Sequence, residues 1–295
     1  MIISKYIKKI SITILLTSFA IICGGVGSLV FENSFAHNFS PDESAHFLTL
    51  VDKIKVESSL VANSSGNNNQ SSAIEHAEYA LNNYDTHTND EISERNERVA
   101  NELNSTLHQL LDQVQSSNDK SQISQSVETI NAILEEATSV RIDQEQLNNS
   151  TIQALVFANI VNSALQSYGT AFNIGIDLTN MSNLHTKSME NNTLHKEGNN
   201  HEFQNVSHKT IIENFSSYES AISFSDYTLK KFKNEIKTSV TENNTTTQNY
   251  LKKLEDGLLE LNTVIKNKDN PMKAMEIVHT KIHPNLQILF NLKSK

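Results

Sequence analysis

Ser150 to Phe172 reads STIQALVFANIVNSALQSYGTAF. Within it Ile152, Leu155, Val156, Ile160, Ala164, Leu165, Tyr168 and Phe172 recur at three- and four-residue steps. That spacing lays one broad apolar stripe along an α-helix. Ser150 and Gln153 stand as a capping box does, so the reading starts the helix at Ser150. The opposite face carries little charge. A helix apolar nearly all round belongs in the middle of a bundle, and the remaining chain must supply the helices that enclose it.

The chain is suited to that task. Gly is 8, Pro is 3 and Trp is absent in 295 residues. So few breakers favour long helices over strands and tight turns. Upstream, Ser40-Pro41-Asp42-Glu43 reads as a capped start with Pro at the first helical position. The helix it opens runs to about Ala62, with Phe47, Leu50, Val51, Ile54 and Val61 on one face. Asn63 to Ser71 reads as a loop by composition. Ser72 and Glu75 start a short helix, and Thr88 and Glu91 start a longer one ending near Gln115. Ser116 to Asp119 is a turn, and a further helix begins at Ser121. Whether that helix stops near Asn148 or runs into the central one is left open by the sequence.

Downstream, Asn180 to Lys209 breaks the periodicity and reads as an exposed linker. Ile211 to Val240 then forms one long helix. Thr245 opens the next, with Leu251, Leu254, Leu258, Leu261 and Ile265 on a heptad seam. Asn270-Pro271 opens the last, which Pro284 should kink or end. The expected fold is all-α, an antiparallel bundle of about seven to eight helices. Its expected parts are 1–36, a signal peptide or N-terminal membrane anchor; 37–180, a helical bundle; 181–208, a polar His- and Asn-rich linker; and 209–295, C-terminal helices packing on or beside the bundle.

Lys5, Lys8 and Lys9 precede an uncharged run from Ile10 to Phe31, and Ser34-Phe35-Ala36 has a small-x-small cleavage pattern. The run is longer than a signal core of ~7–15 residues and reaches the ~20 residues that span a bilayer. A cleaved signal and a retained tether through residues 10–31 both stay open. Either way the lysines remain inside and residues 37–295 lie outside the cytoplasm. Cys23 is the single cysteine and lies in the run, so no disulfide staples the exported part. Ala20-Ile21-Ile22-Cys23 is a poor lipobox, because a small residue is expected before the cysteine. N-x-S/T triplets recur from Asn38 to Asn244, as a glycosylated surface would require.

The net charge is −10, and loss of residues 1–36 removes three lysines and one glutamate and deepens it to −12. Such a surface repels phosphate backbones, so nucleic acid is excluded as the expected partner. The exported part has no cysteine nucleophile, G-x-S-x-G, phosphate loop or H-E-x-x-H, and catalysis is not expected.

Histidines offer the one inorganic alternative. His279 and His283 stand four apart, on one helix face, with Glu276 three residues before His279. That spacing can hold a metal. His46 and His76 also lie beside apolar stripes, and Glu75 could complete a site with them. If the first, second and last helices adjoin, His46, His76, His279 and His283 would converge on copper, zinc or iron, among which imidazole does not choose. The structural alternative is that each histidine simply hydrogen-bonds at a helix edge. His185, His195, His201 and His208 lie in the linker, and His37 becomes the N-terminus if cleavage follows Ala36.

The stretches SPDESAHFLTLVDKIKVE, EISERNERVANEL, VRIDQEQLNNSTIQAL and KIHPNLQILF resemble those of secreted helical proteins of ammonia-oxidising archaea. The resemblance covers most of residues 40–180 and the last helix. It implies an archaeal cell-surface setting and carries over no activity or site residue. The expectation is therefore an exported, non-enzymatic helical-bundle protein that meets protein or glycan partners at the cell surface. The alternative is an extracytoplasmic metal-binding accessory protein.

Overall fold

The computed structural model describes residues 41–116, 119–179, 211–240 and 244–292. Of these, 86% are helical and none lies in a strand, so the all-α expectation is met. Among the described residues there are nine helices, eight of them seven residues or longer. They are α1 Pro41–Gly66, α2 Gln70–Asn82, α3 Thr86–Ser116, α4 Lys120–Arg141, the single turn α5 Gln144–Leu147 and α6 Ser150–Ala171. Then follow α7 over 215–239, α8 Thr245–Lys266 and α9 over 271–290. The signal or anchor segment and the linker 181–208 lie outside the described residues.

Asparagine and aspartate start these helices where the reading placed serine and threonine. Asn69 accepts from the Ser72 N–H at 3.3 Å, and Asp85 from the Thr88 N–H at 2.7 Å. Asn149 accepts from Thr151 and Ile152 at 2.9 and 3.3 Å, so Ser150 is the first helical residue of α6 and not its cap. Asn244 accepts from Thr247 at 2.8 Å. The Asx carbonyl sits one bond further from the backbone than a hydroxyl and reaches the free N–H groups of the first turn. Asn96 plays the same part inside α3. Its backbone leaves helical geometry (φ −156°, ψ 90°), and its side chain caps the Val99 N–H at 3.3 Å.

Two breaks differ from expectation. The Asn63–Ser71 loop shrinks to 67–69, because α1 continues to Gly66 and buries Ser64 and Ser65. Asn68 turns the chain there with φ 60°, a conformation asparagine tolerates. Of the kink or end expected at Pro284, the end does not occur. A π-helical turn at Val278–Ile282 precedes it, and the helix runs on through His283–Phe290. The wider turn spaces the carbonyls that a proline ring would otherwise crowd. Gly257 of α8 makes room for that turn: a Cβ there would stand 3.1 Å from Lys281 Cβ and 3.2 Å from Ile282 Cγ1.

Short connections fold sequential helices back on one another: α1 on α2, α2 on α3 and α3 on α4. Two apolar cores result. The first is built from α1 to α4 and closed by Ile152 and Val156 of α6. The second joins the rest of α6 to α7, α8 and α9, with Val56 and Leu60 of α1. The C-terminal helices therefore pack on the bundle, and α1 and α6 serve both cores. Ala154, Phe157, Ile160, Val161, Ala164, Leu165 and Tyr168 of α6 are fully buried, as an all-round apolar helix requires. Beyond α6 the chain folds back and sets Leu178 against Gly169, where no Cβ stands in its way.

Phe157→Ala opens a void in the second core beside fully buried neighbours. The expected cost is about 3–5 kcal/mol, read in urea as a lower midpoint with an unchanged slope.

Candidate functional site

The interior is not uniformly apolar. Glu57 keeps step with Ile54 and Val61 on the inward face of α1 and is 3% exposed. Its Oε2 lies 2.8 Å from His76 Nδ1 and accepts from the Ser220 hydroxyl at 3.1 Å. His76 is fully buried on α2. The small residues Ala73, Ala77 and Ala80 let α2 approach closely enough to deliver it. The other ring nitrogen, Nε2, faces Glu219 Oε2 of α7 at 3.3 Å. The Ser72 hydroxyl also donates to Glu219, and the Ser216 hydroxyl donates to Ser72 at 3.3 Å. One imidazole thus ties α1, α2 and α7. Protonated on both nitrogens it donates to both carboxylates; the neutral ring can donate to only one.

Beside this network a cleft of about 290 Å³ opens between α1, α2, α6 and α7. Glu57, Ser220 and Phe224 form its buried floor, Lys53, Tyr79 and Ser167 its partly buried walls, and Asn82 and Gln166 its exposed rim. The Tyr79 hydroxyl is 3.2 Å from Ser217 Oγ and accepts from the Asn214 amide at 3.3 Å. Burial lowers the Lys53 pKa, and Glu57 pulls it the other way. No carboxylate among the described residues pairs with Lys53 within 4.0 Å.

A second buried cluster lies further along the same helices. The Tyr227 hydroxyl donates to Asp52 Oδ1 at 2.7 Å, and Lys231 Nζ stands 3.3 Å from Asp52 Oδ2 and 2.6 Å from Glu235. Burial pushes the Tyr227 hydroxyl up, and the Asp52 charge adds to it. For Lys231 burial works against the charge, but Asp52 and Glu235 outweigh it and hold the ammonium up. This cluster is closed on itself and clamps α1 to α7.

The four histidines of the metal reading do not meet. His46 is exposed on α1. Both nitrogens of His76 are taken by carboxylates. His279 and His283 do adjoin, ring centroids 5.4 Å apart and edge to face, because the π-helical turn runs between them. His279 Nε2 donates to the Leu178 carbonyl at 3.1 Å, and Glu276 points away into solvent. Glu75 is only partly buried and joins none of these groups. Among the described residues no group of three or more His, Cys, Asp or Glu has a metal-holding arrangement. The shared site is corrected to three separate places: exposed His46, His76 between its two glutamates, and the His279–His283 pair. His37 and the linker histidines lie outside the described residues.

Glu57, Glu219 and Lys53 were not anticipated. The signal for Glu57 was its register: an acid in step with Phe47, Leu50, Val51, Ile54 and Val61 needs a buried partner. No protein-family model matches the chain, and no curated protein or solved structure matches it either.

His76→Phe keeps a ring in place but takes the imidazole away from the buried Glu57 and the partly buried Glu219. It should cost about 3 kcal/mol by thermal unfolding, more than a surface His87→Phe control. His283 gives a pH signature. Burial, and beyond it His279, pushes its imidazole down from 6.5 to about 4, and its Nε2 has no partner among the described residues. Between these values the unfolded chain binds a proton that the folded chain does not. Its contribution is therefore full above pH 6.5 and is lost as pH falls towards 4. Stability measured against pH should fall less steeply across that window in His283→Gln than in the wild type.

Proposed function

We propose that the chain is an exported helical-bundle module that works at the cell surface by binding, not by catalysing a reaction. The observation that carries this reading is the cleft between α1, α2, α6 and α7, whose Lys53 is held partly buried without an ion-pair partner among the described residues. Burial disfavours the Lys53 charge and Glu57 offsets this only from beyond 4.0 Å, which leaves the ammonium open to a ligand. Concave sites with a few convergent polar groups are where small ligands bind.

Export rests on the sequence: three lysines, then the apolar run 10–31, with the acidic part beyond it. Among the described residues no helix is long and apolar enough to cross a membrane, so a tether falls to the N-terminal run. The N-x-S/T triplets and the resemblance to secreted helical proteins of ammonia-oxidising archaea support a glycosylated, extracytoplasmic setting.

Protease added to intact cells should digest residues 37–295. Mass spectrometry of the native N-terminus should find either Met1, for the tether, or His37, for cleavage. Full protection of the chain in cells whose surface markers are digested would sink the export reading.

A further inference from the structure

Within the cleft, the groups the fold uses can be separated from those it leaves over. Ser220 donates to Glu57, Tyr79 bonds to Ser217, and Asn83 donates to the Tyr79 carbonyl at 2.8 Å. The side chains of Lys53, Asn82, Gln166 and Ser167 make no hydrogen bond among the described residues, although all four line the cleft. Glu57 is divided. Both of its described hydrogen bonds fall on Oε2, its Oε1 makes none among the described residues, and the residue lines the cleft.

Lys53 and Glu57 are four residues apart on one face of α1, with Cβ atoms ~5–6 Å apart by helix geometry. They make no ion pair within 4.0 Å. The cleft therefore presents a partly buried ammonium and a carboxylate held by His76 and Ser220 on one helix face. An anion alone would meet Glu57, and a cation alone would meet Lys53; either leaves one of the two charges facing its like. A molecule carrying both signs within a few ångströms satisfies both. The volume, about 290 Å³, falls near the low end of the ~300–1,000 Å³ typical of ligand pockets and limits the ligand to a small molecule.

We infer that this cleft binds a small zwitterion of the α-amino-acid class, its carboxylate held by Lys53 and Ser167 and its ammonium by Glu57. Asn82 and Gln166 at the rim then meet a polar side chain, and Phe224 underlies it. The inference rests on the reading of the chain as a binding module and supplies the ligand class.

Isothermal titration of the full-length chain with L-serine and with L-glutamine tests it. At least one should give saturable heat, while acetate, ethylamine and glucose at the same concentration give none. Lys53→Met keeps most of the side-chain stem and should weaken binding about tenfold or more, since a charge-assisted hydrogen bond is lost. Glu57→Gln should do likewise. Because Glu57 also holds His76, Asn82→Ala with Gln166→Ala provides a variant that leaves the buried network intact and should weaken L-glutamine more than L-serine. Equal affinity in Lys53→Met, or saturable binding of acetate or ethylamine alone, would overturn the zwitterion. Binding of glucose in place of either amino acid, lost in Lys53→Met, would overturn the ligand class but keep the cleft as a binding site. No saturable heat from any of the five probes would overturn both the class and the cleft as the basis of the module's function.

Discussion

A helix that is apolar on every side has to be enclosed on every side. α6 imposes that condition, and the arrangement of the other helices answers it. One four-helix group, α1 to α4, covers only its first turns through Ile152 and Val156. Most of the remainder, Ala154 and the buried residues from Phe157 to Phe172, would face water without α7, α8 and α9. The C-terminal helices are thus not an appended module. Burying the far side of α6 is what gives them a place to dock, and the Tyr168 hydroxyl fixes it by donating to the Asp269 carbonyl at 2.6 Å and the Val264 carbonyl at 3.3 Å. Ionising Tyr168 inside this packing is disfavoured, mainly by burial.

Apolar packing alone leaves helices free to slide or rotate against one another, because hydrophobic burial is not directional. The buried polar clusters remove that freedom. Glu57, His76 and Glu219 close only if α1, α2 and α7 are in one register, and Asp52, Tyr227 and Lys231 impose a second condition on α1 and α7. Arg141 does the same at the opposite end. It pairs with Glu91 of α3 and lies 4.2 Å over the Phe47 ring of α1, while burial lowers its pKa to about 10. Buried polar groups of this kind add little net stability, yet a misregistered packing would leave each charge unpaired.

The helices were legible because their signal is periodic and repeated. The apolar stripes of α1 and α8 recur over several turns, and Phe47, Val51, Ile54, Val61, Leu251, Leu254, Leu258, Leu261 and Ile265 are buried where the spacing places them; in α6 Leu155 is only partly buried, while Ala154, Phe157 and Val161 off the stripe are fully buried. Their boundaries were less so. In a chain this rich in Asn, Ser and Thr several neighbouring residues can cap, and a hydroxyl spacing such as Ser150 to Gln153 does not reveal that Asn149 reaches the same N–H groups first. Pro284 was read by its local chemistry, which does not disclose that a π-helical turn absorbs it. The candidate site was half legible. His76 drew notice as a ligating residue type beside an apolar face, but its partners Glu57 and Glu219 come from helices 19 and 143 residues away in sequence. No spacing rule joins positions so distant. The four-histidine site failed for the same reason, since residue type alone set it and tertiary placement decides it.

The cleft and the polar clusters have a common origin at the seam between the two cores. α1 turns Ile54 and Val61 to the first core and Val56 and Leu60 to the second. Residues on the edge between those faces cannot be large and apolar for both. The sequence fills this edge with small polar side chains, Ser163 and Ser167 on α6 and Ser217 and Ser220 on α7. Small residues let α6 and α7 pack closely along most of their length, and where they end in hydroxyls at the surface they leave a concavity in place of a ridge. Glu57 lines that concavity while its Oε2 holds the buried imidazole. If the proposed ammonium docks at Glu57, it would draw on the same carboxylate that holds α1, α2 and α7 together.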